Sequence, residues 1–242
     1  MVHTLPDYST KYKMVRIFGQ IDTGELAVRL KSIVTNDRRG NVMWMDDFED
    51  ISQKWDYNEY PITGLCAHTS KYSYSGTQCM QINSGAHSAA VSGIDKRFPQ
   101  PPQAKFGIEC FVRHLGADCN FGLAITARDG NYAYDGDVRY YPDEDELKIR
   151  TGLTDYTSLG TGILPISDEE LWYSFKIVID WATKKYVRAI VGYTQYDLSK
   201  YSLFTYGIVE RPYLKLRLRL FSENDDNHTC YVDNVIITQN EP

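Results

Sequence analysis

From Leu214 to Leu220 the chain reads Leu-Lys-Leu-Arg-Leu-Arg-Leu, each leucine separated from the next by one cation. A helix would scatter those leucines around its circumference. A strand alternates its side chains, so Leu214, Leu216, Leu218 and Leu220 share one dry face and Lys215, Arg217 and Arg219 share a wet one. Such alternation belongs to an antiparallel sheet that covers a core with one face. Phe175, Ile177, Ile179 and Trp181 repeat it, with Lys176 and Asp180 opposite. Phe106, Ile108, Cys110 and Val112 form another such row, and so do Phe121, Leu123, Ile125 and Ala127. The stretch from Tyr231 to Ile237 is almost continuously apolar and predicts a central strand. Turn chemistry falls at Arg128–Asn131, Tyr134–Asp137, Pro142–Asp145 and Ser222–Asn227. Helical periodicity is confined to one turn near Ser167–Leu171, where Ser167 and Glu170 would form a capping box. The expectation is all-β, a sandwich or a barrel.

The chain has 242 residues, a length that all-β domains often use as one unit. Its net charge of −6 argues against a nucleic-acid partner. No run approaches the ~18 apolar residues of a membrane span, and the first residues lack the apolar stretch of a secretory signal. The five cysteines (Cys66, Cys79, Cys110, Cys119, Cys230) are odd in number and lack metal-ligand spacing, which points to a reducing compartment. Residues 1–41 break the pattern. A polar start is followed by a hairpin-like unit over residues 14–34, with Arg16, Ile17, Phe18, Leu26, Val28 and Leu30 around an Asp22-Thr23-Gly24 turn. A polar linker over residues 36–41 then leads into a sandwich beginning at Val42. An arm that buries little within its own domain is disordered unless a neighbour ties it down, so the expectation is an arm held by partner subunits.

Asp46-Asp47-Phe48-Glu49-Asp50, with Trp55 after it, resembles the opening strand of concanavalin A-like and jelly-roll carbohydrate-binding modules. Tyr231-Val232-Asp233-Asn234-Val235 resembles their closing strand, and Tyr74-Ser75-Gly76-Thr77-Gln78 the turn before their second. Trp172 to Ile177 with Asp180, then Lys184-Lys185-Tyr186, resembles a later strand and hairpin of the same fold. The resemblance spans residues 46–238 and implies a concanavalin A-like jelly-roll β-sandwich. It also implies a structural calcium where the first and last strands meet, with Asp47, Glu49 and Asp233 as ligands. The arm, from Arg16 to Gln20 and on to Leu30, is similar to N-terminal hairpins of tailed-phage virion proteins. That likeness implies a virion part (a capsid decoration, minor capsid or tail component) assembled in the host cytoplasm, with its own copies or other capsid and tail subunits as partners.

A glycosidase on this fold needs two carboxylates flanking the bond, which enzymes of the resembled family usually place as E-x-D-x-x-E or E-x-D-x-E along one strand, and no such string is present. Asp143 to Glu146 follows Pro142 and reads as a solvated turn. The five histidines carry no nucleophile motif, so the expectation is a protein without enzymatic activity. A sugar site asks for aromatic platforms beside hydrogen-bonding groups. Tyr132, Tyr134, Arg139, Tyr140, Tyr141, Arg150 and Tyr156 supply both, although strand alternation lets at most half of them share a face. Packing between strands or subunits is the competing use of those tyrosines. The row Lys215, Arg217 and Arg219 could pair with acids, blunt the sheet, or bind an anionic ligand. Two readings follow, a virion assembly protein first and an extracellular glycan-binding module or lectin as its alternative, with a glycoside hydrolase a distant third.

Overall fold

The computed structural model describes residues 37, 39–60, 64–99, 104–113, 116, 118–163 and 171–242. The arm residues Arg16, Ile17, Phe18, Leu26, Val28 and Leu30 and the capping box at Ser167 lie outside them.

Two antiparallel sheets enclose one apolar core. The first sheet runs in the order β13 (Thr194–Asp197), β12 (Lys185–Val191), β11 (Trp172–Asp180) and β6 (Lys105–Arg113). It continues through β16 (Thr229–Gln239), β4 (Cys79–Asn83) and β3 (Leu65–Thr69), and β1 (Asn41–Asp46) also pairs with β16. The second sheet runs β10 (Tyr156–Thr161), β9 (Glu146–Arg150), β8 (Tyr132–Tyr141) and β7 (Cys119–Arg128). It then passes to β15 (Tyr213–Ser222), β5 (Val91–Pro99) and β2 (Asp56–Tyr60), while β14 (Phe204–Gly207) lies on β8. The strand from Tyr231 is central, as its apolar run predicts, because β16 pairs with β1, β4 and β6.

The leucine row does what its period requires. Leu214, Leu216, Leu218 and Leu220 stand opposite Ala127, Ile125, Leu123 and Phe121 of β7, all facing the core. Burying each leucine contributes about 2 kcal/mol. That burial pins the register, because a slip of one residue would turn the arginines inward. All five cysteines are buried free thiols, and burial pushes those of Cys79 and Cys119 up to about 12.

Two expectations need correction. The turn expected at Tyr134–Asp137 lies inside β8. Its glycine serves packing: a Cβ on Gly136 would come within 2.6 Å of Ile179 Cγ2 in the other sheet. The polar segment before the sandwich is also no free linker. Asp37 meets the ammonium of Lys176 at 2.9 Å on the outer face of the first sheet, where Glu241 approaches the same ammonium at 2.8 Å.

Candidate functional site

The leucine period sends Lys215, Arg217, Arg219 and Phe221 to the outer face of the second sheet. Registered beside them are Asp95 of β5 and the outward residues of β8, namely Asp135, Asp137, Arg139 and Tyr141. Arg150 of β9 and Tyr156 of β10 extend the same face. Its floor is kept low by Gly122, where a Cβ would meet the Phe221 ring at 2.8 Å.

Asp135 is the hub. One carboxylate oxygen accepts from Arg217 at 3.0 Å and from the Thr126 hydroxyl at 2.5 Å, and the other accepts from Arg150 at 3.0 Å. Arg150 also donates to the carbonyls of Gly152 and Leu153 and lies 4.4 Å from the Phe204 ring centroid. Asp137 accepts from Arg139 at 3.1 Å and from the Tyr156 hydroxyl at 3.0 Å through a single oxygen. The Arg139 guanidinium is itself held by two rings, Phe221 at 3.8 Å and Tyr156 at 4.4 Å. Burial, with Asp137 nearby, raises the Tyr156 hydroxyl above its ordinary range. Lys215 takes Asp95 at 2.5 Å, which leaves Arg219 no closer than 3.7 Å to that carboxylate. Burial and the neighbouring Arg217 lower the pKa of Arg219.

Between these groups lies a cavity of about 70 Å³, lined by Asp137, Arg139, Arg150, Arg217, Arg219 and Phe221 above Gly122 and Ala124. That is room for about two waters. Three polar atoms of this lining are buried without a hydrogen-bond partner, Asp137 Oδ1 and the Nε of Arg217 and of Arg219, and Asp95 Oδ1, on the flank beside Arg219, is a fourth. A buried polar group left unpaired is costly, so such a cluster marks a place where a partner belongs.

Of the residues expected to form a sugar platform, Arg139, Tyr141, Arg150 and Tyr156 come together on this face. Tyr140 does not: it is 2 % exposed, packs in the core and donates to Asp145 at 2.9 Å. Tyr134 packs against Trp181 at the core margin, and Tyr132 stands exposed beside it at the end of the strand. Alternation separates the residues of β8, but four of the seven, more than the expected half, share the outer face because Arg150 and Tyr156 come from β9 and β10. Sequence reasoning missed Asp135, Asp137, Asp95, Phe221 and Phe204. The signal for the first two was their spacing with Arg139, two residues apart each time, hidden by the turn-like glycine between them.

The expected calcium ligands do not converge. Both Glu49 oxygens accept from Thr77, one from its N–H at 2.6 Å, and the same oxygen takes the Gln78 N–H. Asp233 accepts backbone N–H groups of Tyr74, Ser75 and Asn234, while Asp47 caps the Glu49 N–H. Among the described residues no three His, Cys, Asp or Glu side chains gather closely enough to hold an ion. The carboxylates do the work a metal would do, tying loops to the strand ends.

No protein-family model matches the chain, and no curated protein matches it. Solved structures share its fold. The endo-β-1,4-glucuronan lyase of the fungus Trichoderma reesei aligns with a TM-score of 0.59 at 11% identity, over 82% of this chain and 95% of that one. A sialidase aligns with a TM-score of 0.51 at 9% identity, over 83% of this chain but 19% of its own. A protein of unknown function from Shewanella oneidensis MR-1 aligns at 0.50 and 10% identity, over 91% and 95%. At such identities the likeness establishes the fold alone, a jelly-roll β-sandwich of the concanavalin A-like kind.

Proposed function

We propose that this protein binds a carbohydrate and that the outer face of its second sheet is the binding surface. One arrangement carries the reading: the Tyr156 and Phe221 rings flank Arg139 beside Asp137, at a cavity whose polar atoms lack partners. A pyranose presents an apolar face to rings and a rim of hydroxyls to buried acceptors such as Asp137 Oδ1. The shared fold of a glucuronan lyase and a sialidase, both named for action on carbohydrates, supports the same reading.

The role is binding rather than catalysis. Asp135 and Asp137 are each paired with arginine, an arrangement that suits a binding surface better than a general acid or base. The test is a glycan array with the wild-type chain, followed by titration of the best ligand against Tyr156→Ala. Loss of the ring and its hydroxyl should weaken binding by about tenfold, a typical value for an aromatic contact plus a hydrogen bond. A wild-type chain that binds nothing on the array would sink the reading.

Assembly with neighbouring subunits, as a capsid decoration, minor capsid or tail component, is the second reading. Its observation is the seat of Asp37 on the outer face of the first sheet, the side away from the saccharide face. Light scattering of the full chain beside a 37–242 truncation tests it. Equal monomeric masses would remove self-assembly.

A further inference from the structure

The charge on the saccharide face is unlike that of the chain. The protein as a whole carries −6. Around the cavity and its flank, Arg139, Arg150, Lys215, Arg217 and Arg219 oppose only Asp95, Asp135 and Asp137. Two cations are left in excess on an acidic molecule.

The pairing tells which cation is least satisfied. Arg150 and Arg217 share Asp135, Arg139 has Asp137, and Lys215 has Asp95. Arg219 has only a long approach to Asp95 and a buried Nε with no partner. It lines the cavity beside Arg139, Arg150 and Arg217, so four arginines converge on a cavity whose lining holds one carboxylate, Asp137. Packing holds them there. A Cβ on Gly93 would strike the Arg219 Cγ at 2.8 Å, so that arginine lies flat over a glycine, and Arg139 is clasped by its two rings. A guanidinium presents paired N–H donors that match the two oxygens of a carboxylate.

Resting on the carbohydrate reading above, we propose that the ligand is an acidic saccharide of the uronate type, with a sugar carboxylate at this cavity facing Arg219, Arg217 and Arg139. Asp137 Oδ1 and Asp95 Oδ1 then accept hydroxyls of the same or the adjoining sugar. The carboxylate supplies the charge the arginines lack, and the hydroxyls supply donors the carboxylates lack.

The experiment titrates the full chain by calorimetry with β-1,4-linked oligoglucuronate, its carboxyl-reduced neutral counterpart, and a sulfated neutral oligosaccharide. The uronate is expected to bind at least about tenfold more tightly than the reduced form, the worth of one charge-assisted bidentate contact, and to weaken as salt rises. Arg219→Gln should erase that difference without lowering the melting temperature, because it removes a buried and poorly paired cation. Arg219→Lys, which keeps charge but loses the fork, should fall between. Equal affinity for uronate and reduced form, or for uronate and sulfated form, overturns the carboxylate and leaves a saccharide face. Failure of all three probes, together with an empty glycan array, removes the carbohydrate reading itself.

Discussion

Tyr186, rooted in the first sheet, donates its hydroxyl to the carbonyl of Arg150 in the second at 2.8 Å and accepts the Asp137 N–H at 3.0 Å. The β8–β9 ladder ends at the pair Val138–Ile149, so Asp137 and Arg150 are the first residues beyond it. The hydroxyl bridges the two backbones where the ladder stops. It therefore fixes the strand positions from which Asp137 and Arg150 reach the outer face of the second sheet. Tyr186→Phe leaves the Asp137 N–H buried without an acceptor, and is expected to cost about 1–3 kcal/mol in urea unfolding. Affinity for the ligand should fall as well. Unchanged stability and affinity would mean that the tether is dispensable.

Gly136 faces the same tyrosine from the opposite strand. A methyl there would sit 2.6 Å from Ile179 Cγ2, 3.2 Å from Leu203 and 3.4 Å from the Tyr186 ring. Gly136→Ala overpacks the inter-sheet core and should destabilise by about 1–3 kcal/mol. Thermal melts check this. A neutral outcome would show that the sheets separate more easily than their packing implies.

Period-two patterning made the main strands legible, because a half-buried strand writes its two environments into alternate residues. The same parity foretold that the seven sugar-site residues would split, and Tyr140 and Arg139 point opposite ways for that reason. What stayed hidden was tertiary. Gly136 flanked by Asp135 and Asp137 has turn chemistry, and only the neighbouring sheet shows that its missing side chain makes room for Ile179. Asp135 gained its role from Arg217, 82 residues away, a pairing no local pattern records. Asp47, Glu49 and Asp233 have metal-ligand chemistry, but nearby backbone N–H groups take their oxygens first.

Lys176 is a second case of long-range pairing. Its ammonium is buried among Asp37, Glu109 and Glu241, and Arg188 reaches the last of these. Lys176→Met would remove the buried ammonium these carboxylates share, leaving Arg188 and the more exposed Arg39 beside them, and should cost about 3–5 kcal/mol. The cluster also sets an acid limit. Burial alone would raise the Asp37 carboxyl, but hydrogen bonds from Arg39 and Lys176 together hold it down at about 2, below its ordinary 3.8. A folded-state value below the unfolded one contributes stability that is present above about pH 4 and lost as pH falls toward 2. Asp37→Asn should flatten the acid limb of the melting curve over that window. An unchanged limb would assign acid sensitivity to other carboxylates.

Asp233 works with the opposite sign. Burial, reinforced by Asp47, raises its carboxyl from 3.8 to about 7, although three backbone N–H groups favour the charged form. A folded-state value above the unfolded one contributes stability that is full below pH 3.8 and lost as pH rises through about 7. The melting temperature of the wild-type chain should therefore decline between pH 5 and pH 8 more steeply than that of Asp233→Asn. The variant starts lower because an amide offers one acceptor where the carboxylate offers two. The same melts decide the calcium question. With the oxygens of Glu49 and Asp233 already accepting N–H donors, a chelator should leave the wild-type melt at pH 7.5 unchanged. A drop of several degrees would show instead that an ion binds the native chain and stabilises it by mass action, which would require these loops to rearrange so that carboxylate oxygens face a metal.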